Sequence, residues 1–297
     1  MRVRLRNDGR LARAKNKLRR EVTLALRPRD RKRVIVSLTS YPQRIGYVAD
    51  VVRSLFAQLQ LPDLTVLYLS EGQFPDGVKS LPPSLTSCLG RDFQIRWVRG
   101  DMRSHKKYLY AVRDFPEDLV ITVDDDIVCR NTLVGDLSDA HVRHPHAVAA
   151  IRTHLMEFDS GGALLPYSDW QMEVGNPRPE LCDRPSMRLF GTSGAGMLFP
   201  PGSLPAAAFD TEAIGETCPN ADDVWLKAMT AIAGYPTVSV AGWQGVDCIE
   251  GSQETSLWAT NQRGGNDDAI RKVRAYCEKD LGVECFDSLF HDDALLD

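Results

Sequence analysis

No stretch of the 297 residues holds the ~18 to 20 consecutive apolar side chains that a bilayer-crossing helix needs. The early apolar run at residues 22–26 is also too short for a signal-peptide core. A spanning helix and a cleaved leader are therefore not expected. Paired cysteines are lacking as well: Cys88, Cys129, Cys182, Cys218, Cys248, Cys277 and Cys285 are an odd set without any Cys-x-x-Cys. That argues against a disulfide framework and predicts reduced thiols in the cytoplasm. The Gly-rich run at residues 190–200 has no Gly-Lys-Ser/Thr and does not open a helix, which argues against a phosphate cradle of the P-loop kind. No internal linker divides the chain, and 43% hydrophobic with 26% charged residues excludes wholesale disorder.

Charge is present but unevenly spread. The net charge of −4 hides a segment, residues 1–33, in which 14 Lys and Arg face only Asp8, Glu21 and Asp30, a balance of +11 that leaves −15 for the rest. Leu11, Ala14, Leu18, Val22 and Leu26 recur there at three- and four-residue spacing, with Arg10, Arg13, Lys17, Arg19 and Arg20 between them. This is the pattern of a basic amphipathic helix. Such a segment suits an anionic membrane, each Lys or Arg near the surface adding about 1 kcal/mol. A solvated tail, or one packed on the protein's own acidic surface, is the plain alternative. Nucleic acid is not expected as a partner, because the body is acidic and carries no nucleic-acid motif. The chain reads as that basic segment followed by one domain, residues 34–297.

The domain begins with continuous apolar strands at residues 33–40 and 64–70 and a strand-like stretch at 93–98, each followed by a helical pattern. A helix after the first strand carries Val48, Val51, Val52, Leu55 and Phe56 on one face. Strands alternating with helices predict right-handed crossovers and a mainly parallel α/β sheet, which binds ligands outside the carboxyl ends of its strands. The second half is less regular. A strand is expected at residues 147–152, a long Gly- and Pro-rich loop at 157–188, a turn and strand at 190–200, and a helix opening at Asp222 and Asp223 and ending at Gly234. Trp225 and Met229, four apart on it, are expected in the core.

One stretch organises the rest. The β-branched run at residues 119–123 leads straight into Asp124, Asp125 and Asp126. If the strand continued through them, Asp124 and Asp126 would share a face, about 7 Å apart at ~3.3 Å per residue, with Asp125 opposite. Two carboxylates about 5 Å apart repel by roughly 3 kcal/mol at an effective dielectric of ~20, which a divalent cation relieves. Hard oxygen ligands suit Mg²⁺ or Mn²⁺. A solvated acidic turn capping the next helix is the structural alternative. The later pair, Asp222 and Asp223, opens a helix whose positive end is expected to keep at least one carboxylate ionised and to lower its basicity.

Four stretches, residues 36–44, 104–108, 122–126 and 221–225, together resemble the GT-A glycosyltransferases, and most closely the inverting bacterial enzymes of capsule and cell-surface polysaccharide synthesis. The similarity spans about residues 34–265. It implies a Rossmann-like GT-A fold with a nucleotide-sugar half, residues 34–130, and an irregular acceptor half, residues 131–297. It also implies that Asp124 and Asp126 touch the metal that bridges the donor diphosphate, with Asp125 nearer the ribose. Thr39, Tyr41 and Arg44 would hold the base, Asp101 the base or ribose, and Lys106 or Lys107 would counter the phosphate charge. Asp222-Asp223 falls where related enzymes carry Glu-Asp, so the general base is one of these two, with Asp223 favoured. His291 is the candidate third metal ligand, although a surface histidine near a C-terminus commonly has no such role.

The resemblance therefore implies a hexosyltransferase-type enzyme that uses Mn²⁺ or Mg²⁺. It would move a sugar with inversion from a nucleotide sugar, a UDP-sugar by expectation, to a glycan or lipid-linked saccharide. A nucleotide-sugar pyrophosphorylase is the first competing reading, but it normally shows a Gly-rich loop after its first strand, where this chain has Ser-Tyr-Pro-Gln-Arg. A non-catalytic carbohydrate-binding protein is the second. The expected location is cytoplasmic, peripheral on the inner membrane face through residues 1–33. On that reading, the full chain sediments with anionic liposomes at low salt and releases them at high salt, whereas a chain lacking residues 1–33 stays in the supernatant. Equal sedimentation of the two chains would remove the membrane role.

Overall fold

The computed structural model describes residues 31–242, 245–252 and 265–291, together with Leu18 and Val22. Apart from those two residues, the expected amphipathic segment up to residue 30 lies outside them. Seven strands form one sheet in the order β3-β2-β1-β4-β8-β5-β9. They are β1 (Val34–Thr39), β2 (Leu64–Ser70), β3 (Phe93–Val98), β4 (Leu119–Thr122), β5 (Val148–Ala150), β8 (Met197–Phe199) and β9 (Thr237–Ser239). A separate antiparallel pair joins β6 (Thr153–Leu155) to β7 (Leu189–Gly191).

Strands β1 to β4 are mutually parallel and rich in β-branched residues because both faces are covered. Alternation sends Val36, Leu38, Leu67 and Ile121 into one core and Ile35, Val66, Tyr68 and Val120 into the opposite one. Helix α1 (Val48–Phe56) and helix α3 (Leu133–Arg143) pack into the first core, α1 through Val48, Val51, Val52 and Leu55, which are fully buried. Each such side chain contributes about 1.5 to 3 kcal/mol on leaving water. Helix α2 (Lys106–Asp114), the short α4 (Thr211–Thr217), α5 (Asp222–Ile232) and α6 (Asn266–Tyr276) lie on the other side. Trp225 and Met229 of α5 are both wholly buried there, as their spacing predicts. No helix among the described residues is long and apolar enough to cross a membrane.

One strand departs from the parallel expectation. β8 runs against both of its neighbours, β4 and β5, pairing Met197 with Thr122 and with Ala150. The reversal occurs in the Gly-rich turn. Gly196 sits at φ +118°, and a Cβ there would lie 2.9 Å from a methyl of Leu133. Glycine alone fits that corner. The expected strand at residues 147–152 also ends early, at Ala150, and the chain switches at Thr153 into the second sheet. The long loop at residues 157–188 holds short 3-10 turns and isolated β-bridges, and Trp170, Val174 and Leu181 bury it against the body.

All the parallel strands point their carboxyl ends to one edge, so the segments after β1, β3 and β4 emerge side by side. Helix α5 brings its first turn to the same edge, held from behind by Trp225, whose Nε1–H donates to the Ala208 carbonyl at 3.0 Å. Trp225→Ala is expected to cost about 3 to 5 kcal/mol. Urea unfolding followed by circular dichroism checks this through a lower midpoint at unchanged slope, and a loss below about 1 kcal/mol would show that this face is not tightly packed.

Candidate active site

The edge encloses a cavity of about 820 Å³. Thr39, Tyr41 and Arg44 line it from the segment after β1, Asp101, Lys106 and Lys107 from between β3 and α2, Asp124, Asp125 and Asp126 from after β4, and Asp222 and Asp223 from α5. The fold thus collects every expected site residue except one. His291 lies exposed on the 3-10 turn Asp287–His291 and does not line the cavity. Its expected role as third metal ligand has no support in this geometry: a surface turn reached after α6 does not carry it to the acids. Among the described residues, no three or more His, Cys, Asp and Glu side chains are placed together to hold a metal ion.

Lys107 is the hub. It is 2% exposed, and its Nζ lies 2.6 Å from Asp124 Oδ1 and 3.0 Å from Asp222 Oδ2. It therefore joins the acids after β4 to the acids of α5. Burial works against its charge, but Asp124, Asp222 and Asp223 outweigh burial and hold the ammonium protonated. The backbone is pinned as well, since Ser37 Oγ in β1 donates to the Lys107 carbonyl at 2.5 Å. His105, two residues earlier, is a structural tie. Its Nε2 donates to the Cys218 carbonyl at 2.9 Å, so Nδ1 accepts from Tyr108 Oη at 3.0 Å, and burial lowers its pKa and keeps it neutral.

The three acids do not alternate as a strand would place them. β4 stops at Thr122, so Asp124 to Asp126 lie in the turn beyond it. Arg44 meets both Asp125, at 3.2 Å, and Asp126 as ion pairs, with its N–H groups off the hydrogen-bond line. Asp124 turns instead to Lys107. The two carboxylates expected to share a face are thus held by different cations, because side-chain alternation ends with the strand. Asp125, 5% exposed, also accepts from Ser40 Oγ at 2.5 Å. Its burial pushes its pKa up to about 7 against the pull of Arg44 and Ser40.

The α5 pair divides its roles through Ser193, which the sequence did not single out. Ser193 Oγ lies 2.9 Å from Asp222 Oδ2 and 2.6 Å from Asp223 Oδ1, and its N–H donates to Asp223 Oδ1 at 2.8 Å. Burial penalises both carboxylates. Asp222 is nevertheless held well below the ordinary range by Lys107, whereas Asp223, next to the Asp222 charge, is pushed up to about 6. The helix end was expected to lower the basicity of the pair. Asp223 goes the other way, because burial and a like charge outweigh a partial dipole. Neighbouring titratable groups whose environments drive their pKa values apart are suited to separate tasks.

The remaining expected residues are largely engaged inside the protein. Lys106, 1% exposed, is ion-paired with Asp101, which also accepts from Gln73 Nε2 at 2.7 Å. Thr39 Oγ1 donates to the Tyr68 carbonyl at 2.8 Å. Neither lysine is therefore held in reserve for a phosphate, as the sequence suggested, because a buried ammonium is stable only with its carboxylates in place. The cavity is also lined by Arg103, Asn220, Arg152 and Glu173, all unforeseen. Only the small-residue run at residues 191–196 carried a usable signal. A Cβ on Gly194 would stand 2.1 Å from Asp124 Oδ2, so that glycine marks where the backbone presses on the acid.

Seven carboxylates and five cationic side chains line the cavity among the described residues. That excess of carboxylates suits a bound cation. Asp124, whose side chain is 41% exposed, and Asp126 offer hard carboxylate oxygens, and that donor set fits Mg²⁺ or Mn²⁺.

No family model and no curated protein matches the chain. Solved structures do match. A mannosyltransferase from Pyrobaculum calidifontis, in complex with GDP-Man and Mn²⁺, aligns at TM-score 0.50 and 14% identity over 93% of this chain and 75% of its own. A 4-diphosphocytidyl-2C-methyl-D-erythritol synthase aligns at 0.45 and 13% over 78% and 98%, and S. aureus TarS 1-349 at 0.40 and 10% over 83% and 72%. The first of these, with the mostly parallel sheet flanked by helices, shows a GT-A fold. At such identity it shows the fold alone.

Replacing Lys107 tests the hub. Lys107→Met leaves Asp222 buried without its cation and should cost about 3 to 5 kcal/mol at pH 7. The sign with pH follows from the Asp222 pKa. Depressed in the wild type, it supplies stability that is lost only as pH falls through its low folded value. Raised in the variant, it lets acidification neutralise the orphaned charge. The gap between the two unfolding midpoints should therefore narrow from pH 8 to pH 5, and a gap independent of pH would show that Lys107 acts by packing alone.

Proposed function

We propose that the chain is a metal-dependent glycosyltransferase of the bacterial surface-polysaccharide type. It moves a hexose from a UDP-sugar to a hydroxyl of a glycan or lipid-linked acceptor, inverting the anomeric centre. The observation that carries this reading is the Lys107 bridge. It holds a set of metal-suited acids close to the α5 pair, with its poised carboxylate, in one nucleotide-sized cavity. The P. calidifontis neighbour, solved with GDP-Man and Mn²⁺, supports a nucleotide-sugar donor and a divalent ion.

The chain's own residues divide the work. The segment after β1, with Tyr41 and Arg44, borders the base and ribose, and Asp125 stands on the same side. Mn²⁺ or Mg²⁺ held by Asp124 and Asp126 would supply the positive charge that a leaving diphosphate needs. Asp223 takes the proton of the attacking acceptor hydroxyl. With its pKa near 6 it is ionised at neutral pH yet basic enough to share a proton in the transition state. Asp222, fixed on Lys107, stays charged and keeps Asp223 raised. Ser193 holds the base in place through its N–H and hydroxyl. The enzyme works at the inner face of the membrane, where residues 1–33 meet anionic lipid.

A pyrophosphorylase would transfer a nucleotidyl group onto a phosphate that is already ionised, and it has no use for a raised carboxylate beside the metal acids. A binding protein would gain nothing from burying so many charges. The decisive assay incubates the purified chain with Mn²⁺ and a panel of nucleotide sugars and acceptors, and measures nucleoside diphosphate release. Release of pyrophosphate from a nucleoside triphosphate and a sugar phosphate would instead favour the pyrophosphorylase.

Turnover should rise with pH through about 6 and level off above it, because Asp223 must lose its proton to act. Asp223→Asn should lose about 10²- to 10⁴-fold in kcat with donor affinity nearly kept, a larger loss in turnover than in Asp222→Asn. A product with the donor's anomeric configuration, or a dead Asp222 variant beside an active Asp223 variant, would sink the mechanism.

A further inference from the structure

Four of the five cations lining the cavity are committed to carboxylates: Arg44 to Asp125 and Asp126, Lys106 to Asp101, Lys107 to Asp124 and Asp222, and Arg152 to Glu173. Arg103 differs. Its Nη1 donates to the neutral amide oxygen of Asn220, across the cavity on the segment leading into α5. It is also exposed, where Lys106 and Lys107 are buried. Its backbone is left-handed, φ +49°, a conformation unfavourable for a residue with a Cβ. Asp101 holds it there, since Asp101 Oδ1 accepts the Arg103 N–H at 3.0 Å. The chain thus keeps a strained turn that carries a guanidinium over the cavity.

The difference in partners decides which cation can serve an incoming anion. Moving Arg44 or Lys107 onto a phosphate leaves a buried carboxylate unpaired, which cancels most of the gain. Moving Arg103 leaves behind only an amide that water can satisfy. A planar guanidinium also matches two phosphate oxygens at once. We propose that Arg103 is the residue that reads the donor's diphosphate, exchanging the amide of Asn220 for phosphate oxygens when the nucleotide binds. This rests on the nucleotide-sugar reading above and assigns to Arg103 the role that the sequence gave to Lys106 or Lys107.

Calorimetry on the full chain in Mn²⁺ tests it, with uridine and guanosine diphosphates and the matching monophosphates as probes. Arg103→Gln should weaken diphosphate binding about 10- to 100-fold and monophosphate binding by no more than about 3-fold. Arg103→Lys, which keeps the charge but not the fork, should fall between. Asn220→Ala is the control for a merely structural tie between the two segments. If Asn220 only competes for the guanidinium, its removal leaves diphosphate binding unchanged or tighter. Overturning results are an Arg103→Gln chain that binds diphosphate as the wild type does, or an Asn220→Ala chain that loses as much as Arg103→Gln. A wild-type chain that binds neither diphosphate would instead overturn the nucleotide-sugar reading, and this assignment with it.

Discussion

The arrangement of the cavity depends on one buried ammonium. Lys107 sits in the first turn of α2, almost without solvent, between a carboxylate from the turn after β4 and another from the first turn of α5. Each of the three charges would be costly alone in that setting. Together they fix the distance between two segments that are about a hundred residues apart in sequence. The bridge is mechanical as well as electrostatic: α2 is held to β1 through Ser37 and to the segment before α5 through His105. The two sides of the cavity are thereby set against each other.

The acids fall into groups, each governed by a different cation. Arg44 gathers Asp125 and Asp126, Lys106 takes Asp101, and Lys107 takes Asp124 and Asp222. Asp223 has no cation at contact distance among the described residues, and burial together with the Asp222 charge raises its pKa. Its partners are the N–H and hydroxyl of Ser193, which orient a carboxylate without fixing its charge as an ammonium would. A single lysine thus creates two unlike carboxylates on one helical turn: the one it touches stays ionised, and the charge of that one raises its neighbour.

The first half of the molecule was the more legible in sequence. Its strands are buried on both faces and so read as continuous Val- and Ile-rich runs, and parallel connection through helices then leaves little freedom of topology. The segments after β1, β3 and β4 could be assigned to one edge for the same reason. The second half resisted, because its strands are three residues long and periodicity needs more length than that to show. The antiparallel entry of β8 hung on Gly196, where a run of small residues signals a tight corner but not its direction. The end of β4 at Thr122 was also invisible, since Val123 continues the same apolar pattern.

By itself the sequence determined which chemistry is present: three acids after a buried strand, a pair of acids at a helix start, basic residues between, and an α/β order that gathers them. These are properties of composition and local spacing, and local spacing is what a sequence displays. Tertiary structure alone decided which charge neutralises which. It gave Asp124 rather than Asp126 to Lys107, placed Ser193 against the α5 pair, left Arg103 with a neutral amide and put His291 on an exposed turn that does not line the cavity. Those pairings join residues far apart in the chain, and their energies depend on burial and on distances of a few ångströms. Both quantities exist only once the chain has folded.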